Sequence, residues 1–109
     1  SKKEAEEYFH YYAVENADLD AVENLIEGRG LKKPGVSEEF LMGARVRAAA
    51  GNGALPIVGT PDEVVATMGR LSDYGISALA MGFTNYLDHF PYFRDEVLPR
   101  LVSKGLRIA

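Results

Sequence analysis

The stretch "GTPDEVVATMGRLSDYGISALAMGFTNY", Gly59 to Tyr86, decides the fold. Its opening is a helix start. Pro61 sits in the first turn, where a missing N–H costs nothing, the Thr60 hydroxyl can accept from the Glu63 amide, and the Glu63 carboxylate can reach back. Val64, Val65, Met68 and Leu71 then recur at helical spacing, and Gly75 supplies the residue that tolerates a left-handed cap. "ISALAMGF", Ile76 to Phe83, follows without a charge and without strict polar alternation. That is the pattern of a strand covered on both faces, as in a parallel sheet flanked by helices. Small Ala78, Ala80 and Gly82 alternate with larger Leu79, Met81 and Phe83, so one face permits close approach and the other fills space. Such a strand needs parallel neighbours, and no other segment reads as clearly as one.

Downstream, the spacing predicts a last helix from about Asp88 or Phe90 to Lys104, presenting Phe90, Phe93, Val97 and Leu101 to the core, with Pro99 loosening it. Upstream, Ala5, Tyr8, Phe9 and Tyr12 fall on one side of an amphipathic helix in "KKEAEEYFHYYAVEN". Asp18 is an N-cap for a second helix, Leu19 to about Glu27, with Leu19, Val22, Leu25 and Ile26 on one face, and the two helices are expected to form a hairpin. "GRGLKKPG" resists regular structure and predicts a surface loop. Ser37 caps a third helix that ends near Gly51, with Phe40, Leu41, Ala44 and Ala48 as its buried stripe. In the glycine-rich "GNGALPIVG", Leu55 to Val58 suits a short extended segment or a strand edge. The expected class is therefore α+β and mainly helical, with about five helices and one or two short strands.

The chain has 109 residues, 47% of them hydrophobic and 26% charged, which suits one globular unit. A net charge of −4 with both signs interspersed leaves no footprint for a phosphate backbone or an anionic membrane, so neither nucleic acid nor membrane is an expected partner. The lack of cysteine excludes disulfides, thiolate metal sites and cysteine nucleophiles, and the expected setting is cytoplasmic. No apolar run is long enough for a membrane span, and "SKKEAEEYF" has no apolar centre of a signal peptide.

No phosphate loop, zincin, EF-hand or dinucleotide fingerprint is present. His10 and His89 fall in different elements with no third ligand in view, so no metal is expected. Asp18 with Asp20 and Asp62 with Glu63 are carboxylates at helix starts, where capping and dipole effects explain them. The spacing of Tyr8, Tyr11 and Tyr12 suits a core or interface stripe. Two places carry more. Phe83, Thr84, Asn85 and Tyr86 follow the C-terminal end of the expected strand, where β/α proteins gather ligand contacts. Arg45 and Arg47 lie where a helix runs into a glycine-rich segment, within reach of an anion or on a solvated face.

The run "IVGTPDEVVATMGRLSDYGISALAMGFTNYLDHFPYFRDEVLPRLVSKGLR" resembles the C-terminal end of the bacterial luciferase-like, flavin-dependent monooxygenases. The shared features, in order, are a "VG-T/S-P-x-E-V" helix start, here Val58 to Val64, a "GI/V" strand, here Gly75 to Phe83, and an "EVLPRL" helix before "GLR", here Glu96 to Arg107. Weaker likeness reaches back through "RVRAAAGNG" to "EAEEYF", and "NYLDHFPYF" is closest to the alkanesulfonate and dimethylsulfone monooxygenase branch. Family members are (β/α)8 TIM barrels roughly three times this length. The resemblance thus implies a single incomplete domain over residues 1–109, the C-terminal part of such a barrel. Residues 58–107 would be its last helix-strand-helix unit, "ISALAMGF" its eighth strand, and residues 18–53 the insertion that carries a mobile lid.

The resemblance further implies reduced flavin mononucleotide (FMN) as cofactor, activating oxygen for attack on an organosulfur compound or an aldehyde. Arg47 would close over the flavin phosphate or the anionic substrate, and Phe83, Asn85 and Tyr86 would belong to the cofactor rim. "AAAGNG" departs from relatives richer in glycine at the lid. Most flavin and catalytic positions of the family lie on the first six strands, so no catalytic residue is assigned, and the chain alone is expected to be inactive and not to retain the cofactor. Its partner would be a separate N-terminal barrel portion or further copies of itself. A different class remains open: a non-enzymatic helical self-association module.

Overall fold

The computed structural model describes residues 1–108. It is mainly helical, and the described residues contain no β-strand. The helices are α1 (Lys2–His10), α2 (Leu19–Gly28), α3 (Glu38–Gly51), α4 (Pro61–Asp73), α5 (Tyr86–Tyr92) and α6 (Leu98–Ser103). Two π-helical turns interrupt the series, Tyr11–Glu15 after α1 and Phe93–Val97 between α5 and α6. The chain packs as two compact units, residues 4–56 and residues from 57 onward together with Ser1–Lys3.

In the first unit, Val22 and Ile26 of α2 close on Leu41, Ala44 and Ala48 of α3, with Leu25, Leu31, Val36 and Ala49 around them. The helix ends follow from local chemistry. Asp18 accepts from the Ala21 amide at 3.0 Å and Ser37 from the Phe40 amide at 3.1 Å, each meeting an amide that the helix leaves unpaired. Asn52 ends α3 in the left-handed region at φ 57°. Glu23 reaches Arg45, and Arg29, just past the end of α2, reaches Asn52, so α2 and α3 run in the same direction. The chain between them must therefore travel back along α2. Lys32 marks this return, bonded to both Glu23 and Glu27.

The expected hairpin of the first two helices is replaced by a different pairing: α2 and the π turn Tyr11–Glu15 each pack on α3. α1 itself buries no residue, and Ala13 of the π turn is the inward contact. Two edges of the expected stripes also face out. Leu19 is 67% exposed and Phe40 49%, because each lies at the margin of its helix's apolar arc, whereas the centre of that arc is buried.

In the second unit, Val65 and Met68 of α4 pack on Val97 and Leu101. Ile57, Val64, Met81, Phe93 and Leu98 surround them. The start of α4 is the expected capping box: the Glu63 amide donates to the Thr60 hydroxyl at 3.3 Å, and the Thr60 amide donates to the Glu63 carboxylate at 2.9 Å. That return bond holds the Glu63 carboxyl below its usual range. Gly75 ends the helix region at φ 90°, as its lack of a Cβ allows.

The last helix begins earlier than expected, at Asn85, whose side chain accepts from the Leu87 and Asp88 amides. It then widens into the π turn before Pro99. Proline has no N–H for the carbonyl one turn back, and its ring crowds that carbonyl, so a wider turn there relieves both problems. Phe93 is half-buried and Val97 and Leu101 are buried, but Phe90 is 47% exposed and stays outside this core.

The principal correction concerns "ISALAMGF". Residues 76–83 run without turn, bend or positive φ, yet form no strand. A strand exists only as a member of a ladder, and among the described residues no backbone ladder bond joins this segment to another. Leu55 to Val58 likewise forms no strand. The expectation of two covered faces fails too. Met81 and Phe83 are half-buried against the helices, while Ile76 to Ala80 and Gly82 are exposed. The alternation of Met81 and Phe83 with Ala80 and Gly82 still has the period of a strand laid on helices by one face.

Candidate functional site

The positions named from the sequence fall into both units. Phe83, Asn85 and Tyr86 lie together in the second, and Arg47 lies in the first.

Phe83 is the hub of an aromatic cluster. Its ring centroid is 5.4 Å from Tyr86, 6.0 Å from Phe90 and 5.3 Å from Phe93, all in edge-to-face or strongly tilted arrangements that suit the ring quadrupoles. Tyr86 and Phe90 supply the exposed side of this cluster, and the Tyr86 hydroxyl reaches the Met81 carbonyl at 3.5 Å. Asn85 has a structural task. Its carboxamide oxygen accepts from the first-turn amides, its amide nitrogen donates to Asp88 at 2.6 Å, and its backbone N–H donates to His89 Nδ1 at 3.4 Å. The side chain is thus committed to starting α5.

Arg47 lies on α3 beside Gly43, and a Cβ at position 43 would stand 3.2 Å from its guanidinium. No ion pair or hydrogen bond holds that guanidinium among the described residues. Arg45, one of the two arginines read from the sequence, is committed elsewhere. It bonds Glu23 at 2.5 Å and stands 4.0 Å from Glu38. Hydrogen bonds from Arg45 and then Lys32 pull the Glu23 carboxyl down to about 2, and the same contact raises Arg45. This four-residue network of Glu23, Glu27, Lys32 and Arg45 fixes the returning segment to α2 and α3.

The sequence did not single out Arg100. Its guanidinium bonds Asp62 and Glu96, each at 2.9 Å, and donates to the Glu96 carbonyl, tying the first turn of α4 to the π turn. Beside it a groove of about 680 Å³ runs between α4 and α6, floored by Val65, Ala66, Gly69 and Leu106. Gly69 is not required by the packing there, since a Cβ would make ordinary van der Waals contact with Leu106 at 3.7 Å.

Among the described residues no group of histidine and carboxylate side chains could hold a metal ion, and no helix is long and apolar enough to cross a membrane. The first unit therefore offers Arg47 as a cation without a partner among the described residues, as Lys33 in the loop before α3 also is, and the second unit offers an aromatic rim with a flanking amide. Compared with protein families, curated proteins and solved structures, it matches none.

Proposed function

We propose that this chain is the C-terminal portion of a reduced-flavin-dependent monooxygenase barrel acting on an organosulfur compound or an aldehyde, and that it does not turn over substrate alone. The observation that carries this reading is the run Ile76–Phe83. It is straight and uncharged, it turns Met81 and Phe83 onto helices, and it has no ladder partner. It stands between a capped helix and an "EVLPRL" helix, the order in which the luciferase-like family closes its barrel. A strand taken from a closed barrel would have these properties.

When bound, the flavin would supply the oxygen-activating chemistry. This chain's own residues would bind and enclose. Arg47, with no internal counter-ion, suits the flavin phosphate or an anionic substrate. Phe83 and Tyr86 suit an apolar rim that excludes water, and Asn85 contributes by holding the start of α5 beneath it. The partner would be the N-terminal barrel portion, whether on the same polypeptide or a separate one.

Titration of the purified chain with oxidised and reduced FMN, followed by flavin fluorescence and absorbance, tests the inactive state. Saturable binding only above about millimolar cofactor is expected, and tight binding of reduced FMN by the chain alone would overturn it. Mixing the chain with a luciferase-like barrel truncated before its last helix-strand-helix unit tests the heritage. Restored flavin binding is expected, and its absence contradicts the barrel reading.

A further inference from the structure

We infer that Ile76–Phe83 pairs with the same segment of a second copy, forming a two-stranded antiparallel ribbon about a two-fold axis at Ala80. The inference stands on the unpaired segment and is independent of any flavin chemistry. From Ser77 to Thr84 no backbone N–H finds a hydrogen-bond partner among the described residues, and of the carbonyls Met81 receives one, from the Tyr86 hydroxyl. An uncharged apolar edge of this length is a template for strand addition. From Tyr74 to Tyr92 neither a lysine nor an arginine interrupts the surface, and Asp88 is the sole charged residue.

The exposed area supports an occupant of this size. Seven large apolar side chains more than a third exposed are concentrated between Tyr74 and Tyr92, including Leu79, Tyr86, Leu87 and Phe90. At roughly 150–200 Å² for a whole side chain of this size, their exposed fractions leave on the order of 600–800 Å² open, and each partner of a specific interface buries roughly 600–1,000 Å². A second copy is the occupant whose pattern is complementary by construction, and two-fold pairing is the common closed solution.

The register follows from the faces. With Ala80 opposite Ala80, Ala78 meets Gly82 and Leu79 meets Met81, so small residues share one side and large residues the other. The helices of both copies then lie on the same side of the ribbon, where Leu79 gains the cover that its own chain does not provide.

The native chain has no cysteine, so single-cysteine variants report pairing without competition. Directly opposed residues in such a ribbon stand within disulfide range. Under mild oxidation Ala80→Cys is expected to cross-link to a dimer. Ala78→Cys and Gly82→Cys should each cross-link weakly alone and strongly when mixed. Light scattering of the unmodified chain should give twice the monomer mass at about 100 μM, and the double variant Leu79→Pro with Ala80→Pro, which removes a ladder donor whichever of the two alternating pair types falls at Ala80, should return the monomer mass with unchanged far-UV circular dichroism. A monomeric native chain, or a dimer that the double proline variant leaves intact, would overturn the inference. Equal cross-linking of Ala78→Cys alone would overturn the register. None of these readouts involves flavin, so they can fail while the barrel reading stands, and the reverse also holds.

Discussion

The α2–α3 pair and the stretch from Tyr74 to Tyr92 are made of similar fractions of apolar residues but reach opposite outcomes. In the pair, both helix starts are capped, the facing charges of Glu23, Lys32 and Arg45 are joined, and Ile26 is 1% exposed. In the stretch, no backbone N–H from Ser77 to Thr84 has a partner among the described residues, Leu87 is 87% exposed and Tyr74 85%. The difference lies in how far away the required partner is. A helix completes its hydrogen bonds within itself and needs one neighbouring face, whereas an extended segment completes none without another segment beside it.

Truncation tests this contrast most strongly. Ile26→Ala removes the most buried side chain of the pair and is expected to cost about 2–5 kcal/mol, as large-to-small core changes do. Leu87→Ala removes as large a side chain from the stretch and is expected to stay within about 0.5 kcal/mol in the monomer. Urea denaturation followed by circular dichroism measures both, and equal losses would break the comparison.

A smaller effect is expected at the boundary between the two behaviours, where the capping box anchors α4 ahead of the unpaired run. Thr60→Ala removes the acceptor for the Glu63 amide and should cost about 1 kcal/mol by the same measurement. Thr60→Ser, which keeps the oxygen, should recover most of it.

The smallest effect concerns charge. Glu23 titrates at about 2 in the folded chain against an ordinary value of 4.5, so its contribution is fully present above pH 4.5 and disappears as the pH falls toward 2. The stability difference between the native chain and Glu23→Gln should therefore be constant at pH 5 to 7 and vanish near pH 2. A difference that persists at pH 2 would show that the carboxylate's charge is not what holds the returning segment. The groups are exposed, so the effect should also shrink in high salt.

Those features that act within a few residues were legible in the sequence. Asp18, Ser37 and Thr60 cap as their types and spacing require, and Gly75 takes the backbone angle that glycine permits. Features that depend on distant partners were not. Nothing in the spacing of Arg45 says that it will meet Glu23 rather than remain available with Arg47, and a lone apolar run does not say whether a neighbour will lie beside it. Asn85 shows a third situation. It falls where a ligand contact is expected, but the same position is also the start of α5, and capping takes its side chain.

The shared direction of α2 and α3 has an electrostatic consequence. Each helix ends with unpaired carbonyls that together amount to about half a negative charge. Parallel neighbours bring two such ends close, where antiparallel ones would set an end against a start. Arg29 stands at this meeting point, just past the last turn of α2 and bonded to the Asn52 carbonyl and side chain at the end of α3. A Cβ on Gly53 would collide with its guanidinium, so the backbone there is cleared for the cation. One side chain thus acts as a shared counter-ion for two helix dipoles, and it offsets the repulsion that a side-by-side orientation creates.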